Sequence, residues 1–145
     1  VVEEAMALLS KGIELLEKGV EQESKNWNAR YLLASIKWQY AGILGQNSRS
    51  AEELSLGREA YEELKNLLKS PMKNPHPSVV RKSLAYLCGD LGHAADLQKK
   101  RELAISYLQE SKRYWQELHR DEGDQLEIRE GYHWAVNRLA EMGEE

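Results

Sequence analysis

Apolar residues recur along this chain at intervals of three and four positions, the spacing of one face of an α-helix. The first such stretch covers about residues 5–19. The same periodicity predicts five further helices, over about residues 27–45, 51–69, 78–92, 97–119 and 125–142. The expected core stripes include Leu8, Leu32, Val79 and Leu97, and the stripe of the sixth helix consists of Leu126, Arg129, Tyr132, His133, Val136 and Leu139. No stretch shows the sustained alternation of apolar and polar residues that is typical of a half-buried strand. We therefore predict an all-α fold of about six helices.

Residues that start and stop helices lie between most of these stretches. Residues 70–77 contain all three prolines of the chain and form a predicted linker, and Pro77 suits the first turn of the following helix. Ser50 and Glu53 have the spacing of a capping box. Other residues suited to helix ends are Gly45, Gly92, Asp96, and Asp124 with Glu127.

The chain also contains a faint internal repeat with an offset of 47 residues, which relates Leu44-Gly45 to Leu91-Gly92. The same offset places Ala41 on Cys88. Repeats of this length are typical of stacked supersecondary units, which usually present surfaces for binding partners. The pattern therefore favours a binding function over catalysis.

The composition fits one globular domain over residues 1–145, with 41% hydrophobic and 30% charged residues. No apolar run is long enough to span a membrane. The single cysteine, Cys88, excludes an internal disulfide and favours a reducing, cytoplasmic compartment. The net charge of −4 is uneven, because residues 65–120 carry 11 basic and 5 acidic groups between two acidic ends. This basic middle could steer an acidic partner, or could consist of ordinary solvated helix faces.

Catalytic and metal-binding patterns are missing from the sequence. The four histidines have no His-x-x-x-His partner, and no Cys-x-x-Cys spacing occurs. Glycine-rich phosphate loops, nucleophile elbows and kinase motifs are also absent. The overall acidity argues against nucleic-acid binding. We expect no enzyme activity and no cofactor.

Small residues followed four positions later by a large one mark the third and fifth predicted helices, as Gly57 with Tyr61 and Ala104 with Leu108. Gly42 and Gly89 supply small residues on the helices before them. This arrangement resembles the tetratricopeptide (TPR) helical repeat. Residues 87–91 and 104–111 look like the longer repeats in the C-terminal regions of bacterial eukaryotic-like serine/threonine kinases. The resemblance implies antiparallel hairpins stacked as a right-handed superhelix, and a fragment of a larger signalling protein that starts and ends within a repeat.

In TPR stacks the first helix of each hairpin lines the concave side, so the resemblance implies a groove there. The expected groove combines basic, aromatic and polar side chains from the second, fourth and sixth helices: Tyr31, Ser35 and Trp38; Lys82 and Tyr86; and Arg129, His133 and Asn137. In the alternative interpretation Tyr31 and Trp38 pack against the first helix or the loops. Tyr61, Trp115 and Trp134 are assigned mainly to packing.

The expected function is a non-catalytic, scaffold-like interaction module that binds a protein or peptide on its concave face. The expected ligand carries acidic and apolar residues, and no nucleic acid or membrane is expected to bind. A second hypothesis is self-association, in which open terminal helices pair two copies into a homodimer. The third hypothesis is a small all-helical hydrolase or metal protein.

Overall fold

A computed structural model describes residues 1–70 and 76–144 of the chain. The described residues form helices joined by short turns and contain no strand, which confirms the all-α prediction for this part of the chain. The six helices are α1 (Val2–Gln22), α2 (Trp27–Gln46), α3 (Ser50–Lys69), α4 (Pro77–Leu97), α5 (Arg101–Glu122) and α6 (Leu126–Glu141).

The helices fall into two compact units, residues 1–75 with α1–α3 and residues 76–145 with α4–α6. In the first unit α2 packs between α1 and α3. In the second unit α5 packs between α4 and α6, and α4 also touches α6. A single domain over residues 1–145 stays a prediction, and each unit is described by itself below.

The core of the first unit comes from α2 and α3. Buried positions on α2 recur at helical spacing, as in Leu33, Lys37, Ala41 and Leu44. They face a buried stripe on α3, which consists of Leu54, Gly57, Ala60, Tyr61, Leu64 and Leu67. No residue of α1 is buried, although α1 is described over its whole length.

A charged side chain occupies the middle of the α2 stripe. Lys37 is 5% exposed, and its Nζ lies 2.8 Å from Glu63 Oε1 of α3. Carboxylate oxygens of Glu59 on α3 and of Glu17 on α1 lie 3.6 Å and 3.5 Å from the same nitrogen. One ammonium group therefore connects α2 to both of its neighbours. Its charge is compensated by three carboxylates, as a buried cation requires.

The second unit has a larger core. Ten residues of α4 are buried, against seven of α5 and three of α6. Ser111 of α5 is buried and donates a hydrogen bond of 2.7 Å to the carbonyl oxygen of Ala85 on α4. Pro77 begins α4 at its first turn, as predicted. Residues 71–75 of the predicted linker lie outside the described residues.

Several predicted helix ends and stripe positions are wrong. α4 continues to Leu97, so Gly92 and Asp96 lie inside it rather than at its end and at the start of α5. The N-cap residue is Arg49 in α3 and Gln125 in α6, and neither helix has a side-chain hydrogen bond at its N-cap. Neither predicted capping pair therefore forms. The actual side-chain cap is Asn26, whose Oδ1 accepts from the Ala29 amide at 3.1 Å. Five expected core residues are exposed: Leu8, Leu32, Val79, Leu97 and Leu126.

Lys37 and its three carboxylate partners, Glu17, Glu59 and Glu63, which we call the Lys37 cluster, lead to a prediction on stability. Burial alone would lower the pKa of Lys37, but the Glu63 hydrogen bond and the three carboxylates outweigh it and raise the pKa above 10.5. Since the folded pKa exceeds the unfolded value, the stabilisation is complete below the unfolded value and is lost as pH rises through the folded one. We expect Lys37→Met to lower the free energy of unfolding by about 1–3 kcal/mol at neutral pH. The difference from wild type should shrink above about pH 10.5.

Urea unfolding followed by circular dichroism, repeated between about pH 7 and about pH 11, measures this difference. Lys18→Met is the matched control, because Lys18 is exposed and its ion pair is with Glu14, one turn away on α1. Equal stability of the Lys37 and Lys18 variants at neutral pH would contradict a stabilising role for the cluster.

Candidate functional site

Two glycines let α6 approach its neighbours closely. A Cβ atom added to Gly131 of α6 would overlap the indole ring of Trp115 on α5. A Cβ atom added to Gly89 of α4 would lie 2.9 Å from Cζ3 of Trp134 on α6, closer than real Cβ contacts. At both positions an added side chain would meet a tryptophan ring of the neighbouring helix, and the overlap is larger at Gly131, where the ring is buried.

These helices enclose an open cleft of about 380 Å³, which we call the Trp134 cleft. All three helices of the second unit contribute to its lining, which consists of Ala85, Tyr86, Gly89, Asp90, Ser111, Trp115, Glu127, Glu130, Gly131 and Trp134. Its volume lies within the range of small-molecule and side-chain pockets.

Aromatic rings form the apolar part of the cleft. Trp115 is 2% exposed, and the ring of Tyr86 meets it edge to face with centroids 4.9 Å apart. Tyr86 and Trp134 are 41% and 44% exposed, so both rings keep free surface. The cleft therefore has a buried floor at Trp115 and two half-exposed aromatic walls.

Carboxylates form its polar part. Glu127 accepts a hydrogen bond of 3.1 Å from the Tyr86 hydroxyl and pairs with Lys82 Nζ at 2.7 Å. The Lys82 hydrogen bond lowers the pKa of Glu127, and the Glu127 hydrogen bond raises the pKa of Lys82, so both groups are charged at neutral pH. Burial first, and then Glu127 and Glu130, raises the pKa of Tyr86. Among the described residues, the lining of the cleft therefore contains acidic side chains and no basic one.

A second cavity of about 360 Å³ lies between α5 and α6. Its lining consists of Trp115, Gln116, His119, Ile128, Arg129, Tyr132 and His133. Trp115 therefore contributes to the walls of both cavities. The rings of Tyr132 and His133 meet edge to face, 5.7 Å apart.

The predicted groove residues are distributed over both units. In the first unit Tyr31 stacks on Trp27 with centroids 5.2 Å apart, which places it in local packing. Ser35 donates to the carbonyl oxygen of Tyr31 at 2.9 Å, and Trp38 is half-buried. None of these three lines a cavity described for the first unit.

In the second unit Lys82 and Tyr86 come together at Glu127, beside the Trp134 cleft. Arg129 and His133 line the other cavity, and Arg129 pairs with Asp124 at 2.9 Å. Asn137 is exposed and lines neither. The fourth and sixth helices thus place their predicted residues in two separate places.

Most of the cleft was not predicted from the sequence. Trp134 was assigned mainly to packing, and Glu127, Glu130 and Gly131 were not among the predicted site residues. These four residues follow the spacing i, i+3, i+4, i+7 and share one face of α6. That spacing was a usable signal. The predicted stripe of α6 was displaced from the buried one, which is Ile128, Ala135 and Leu139.

Within residues 1–70 and 76–144 no group of three or more histidine, cysteine, aspartate or glutamate side chains is placed to hold a metal ion. The described helices also include none whose length and hydropathy would let it cross a bilayer. Comparison of the chain with protein-family models, curated proteins and solved structures found no match.

The close approach at Gly131 can be tested by substitution. We expect Gly131→Ala to lower the free energy of unfolding by about 1–2 kcal/mol, because overlap with the buried Trp115 ring outweighs the better helix propensity of alanine. The control is Gly42→Ala in α2, where an added Cβ meets no atom within 4 Å. This control should stabilise by about 0.5–1 kcal/mol. Thermal unfolding of both variants decides the matter, and a stabilised Gly131→Ala would show that the approach is not tight.

Proposed function

We propose that this chain is a non-catalytic helical module that binds a segment of a partner protein, and that the Trp134 cleft holds one side chain of that segment. The observation that carries the proposal is the pair of half-exposed rings, Tyr86 and Trp134, on a floor held by Trp115. Tryptophan and tyrosine in a preformed pocket contribute much of the binding energy at protein interfaces. A preformed pocket also limits the entropy lost on binding.

The contacts around the cleft support preorganisation. The Tyr86 ring is held by its edge contact with Trp115 and by the hydrogen bond from its hydroxyl to Glu127. Glu127 is in turn held by Lys82. Trp134 rests against the backbone of α4 at Gly89. Both aromatic walls of the cleft are therefore held in place by contacts within the protein, before any ligand binds.

The proposal includes a TPR-like arrangement in a cytoplasmic signalling scaffold, as the sequence resemblance implies. Small residues support it, since Gly57 of α3 and Ala104 of α5 are both buried in their hairpins. The large residues four positions later, Tyr61 and Leu108, are buried as well. The right-handed superhelix itself stays a prediction.

Selection from a displayed library of random peptides tests peptide binding. We expect selected peptides to bind the wild-type chain, and Trp134→Ala to weaken binding about tenfold or more, because the substitution removes an exposed aromatic wall. Affinities can be measured by fluorescence polarisation, with circular dichroism as the check on folding.

Tyr132→Ala is the matched control, since Tyr132 lies on the same helix but lines the second cavity. Peptides that lose affinity with Tyr132→Ala and keep it with Trp134→Ala would place the site in that cavity and contradict the assignment. A library that yields no binder above background would contradict peptide binding altogether.

A second candidate function is self-association through α1. Leu8 and Leu15 are 75% and 59% exposed and lie seven positions apart, so they form an apolar stripe on one side of this helix. A surface stripe with this spacing suits pairing with another helix. In this alternative a second copy of the chain covers α1.

Sedimentation velocity over a range of concentrations separates the two candidates. Self-association predicts a dimer that Leu8→Glu with Leu15→Glu converts to a monomer, because charges would be buried at the contact. Ser10→Glu, at an exposed polar position of α1, should leave the dimer intact. A wild-type chain that stays monomeric at all concentrations contradicts self-association and leaves peptide binding unaffected.

A further inference from the structure

We propose that the side chain held in the Trp134 cleft is an arginine, with its guanidinium group flat against the Trp134 indole and directed at Glu130. This inference rests on the proposed function, because it names the chemistry of the segment that the same cleft binds. It replaces the acidic ligand expected from the sequence by a basic one.

The lining of the Trp134 cleft is acidic. Among the described residues that line the cleft, Asp90, Glu127 and Glu130 are acidic and none is lysine, arginine or histidine. Lys82 neutralises Glu127 from the edge of the cleft, at 2.7 Å. Glu130 is exposed and has no ion pair with any described residue. An acidic ligand would be repelled here, whereas a cation gains an attractive field.

Glu130 lies next to Trp134 in the cleft. It lies four residues before Trp134 on α6, so its carboxylate and the indole are neighbours on one helix face. Trp134 keeps 44% of its surface exposed. A cation within about 6 Å of the ring centroid is attracted by the ring face, and tryptophan is the strongest partner for this interaction. A cation on Trp134 can therefore also pair with Glu130.

The shape of the cleft favours arginine over lysine. A planar guanidinium stacks on an aromatic ring and can donate two parallel hydrogen bonds to one carboxylate, whereas an ammonium group is a strongly hydrated point charge. The Tyr86 ring and the buried Trp115 floor offer apolar surface for the methylene stem. A purely apolar side chain would desolvate the carboxylates without pairing them, which is unfavourable.

Three small probes test the inference without a known partner: Nα-acetylarginine amide, Nα-acetylcitrulline amide and Nα-acetyl-leucine amide. Citrulline keeps the shape of arginine and lacks its charge. Binding is followed through the tryptophan indole N–H signals in NMR spectra of the ¹⁵N-labelled chain, with Trp134→Phe identifying the Trp134 signal. We expect the arginine probe to shift that signal with a dissociation constant on the order of 1 mM. The citrulline probe should bind at least about fivefold more weakly.

Glu130→Gln should weaken the binding of the arginine probe at least about threefold and reduce the salt dependence of this binding. The control is Glu141→Gln, the same substitution on α6 at an exposed residue that pairs with Arg138 outside the cleft. This control should bind arginine like the wild type. Equal losses in the two variants would mean that only the net charge of the chain matters, which overturns the role of Glu130.

The outcomes distinguish the inference from the proposed function. Equal binding of arginine and citrulline, or tighter binding of leucine, overturns the cationic ligand while the cleft remains a binding site. No shift of the Trp134 signal with any probe overturns the arginine inference. Library peptides that still depend on Trp134 would then uphold peptide binding through another side chain.

Discussion

The second unit depends on one steric constraint, the contact between the α6 backbone at Gly131 and the ring of Trp115. Because glycine has no side chain, α6 can lie directly on the indole, and Trp115 stays buried between α5 and α6. This approach also brings Trp134 onto α4 at Gly89. The cleft is therefore a result of how tightly the helices pack, and its rings are positioned by the core.

The two units use lysine differently. Lys37 is buried and compensated by three carboxylates from α1 and α3, so it acts within the fold. Lys82 lies at the edge of the cleft and pairs with Glu127, whereas the described lining itself contains acidic residues and no basic one. Position 84 in the second unit corresponds to Lys37 by the 47-residue offset and is a fully buried leucine. The units thus stabilise related helix positions with ionic contacts in one case and apolar packing in the other.

Helix number and class followed from periodicity, because a long amphipathic helix leaves a clear pattern of apolar residues. Helix ends did not follow, since Gly92 and Asp96 suit a terminus locally but packing against α5 carries α4 on to Leu97. The burial of Lys37 was not predicted, because a charged residue on a helix is normally exposed to solvent. Most of the cleft was not predicted: Tyr86 in its lining and Lys82 at its edge were chosen from α4, but the apolar size of Trp134 suggested packing. Sequence spacing cannot tell a buried indole from one that is half-exposed.

The lack of any buried residue on α1 has a consequence for the order in which the first unit opens. Local opening requires little free energy where few apolar contacts are lost, so the amides of α1 should exchange with deuterium before those of α2 and α3. A molecule that covered Leu8 and Leu15 would slow this exchange. The rigidity of α1, at the edge of the first unit, therefore depends on whether another molecule covers its exposed side.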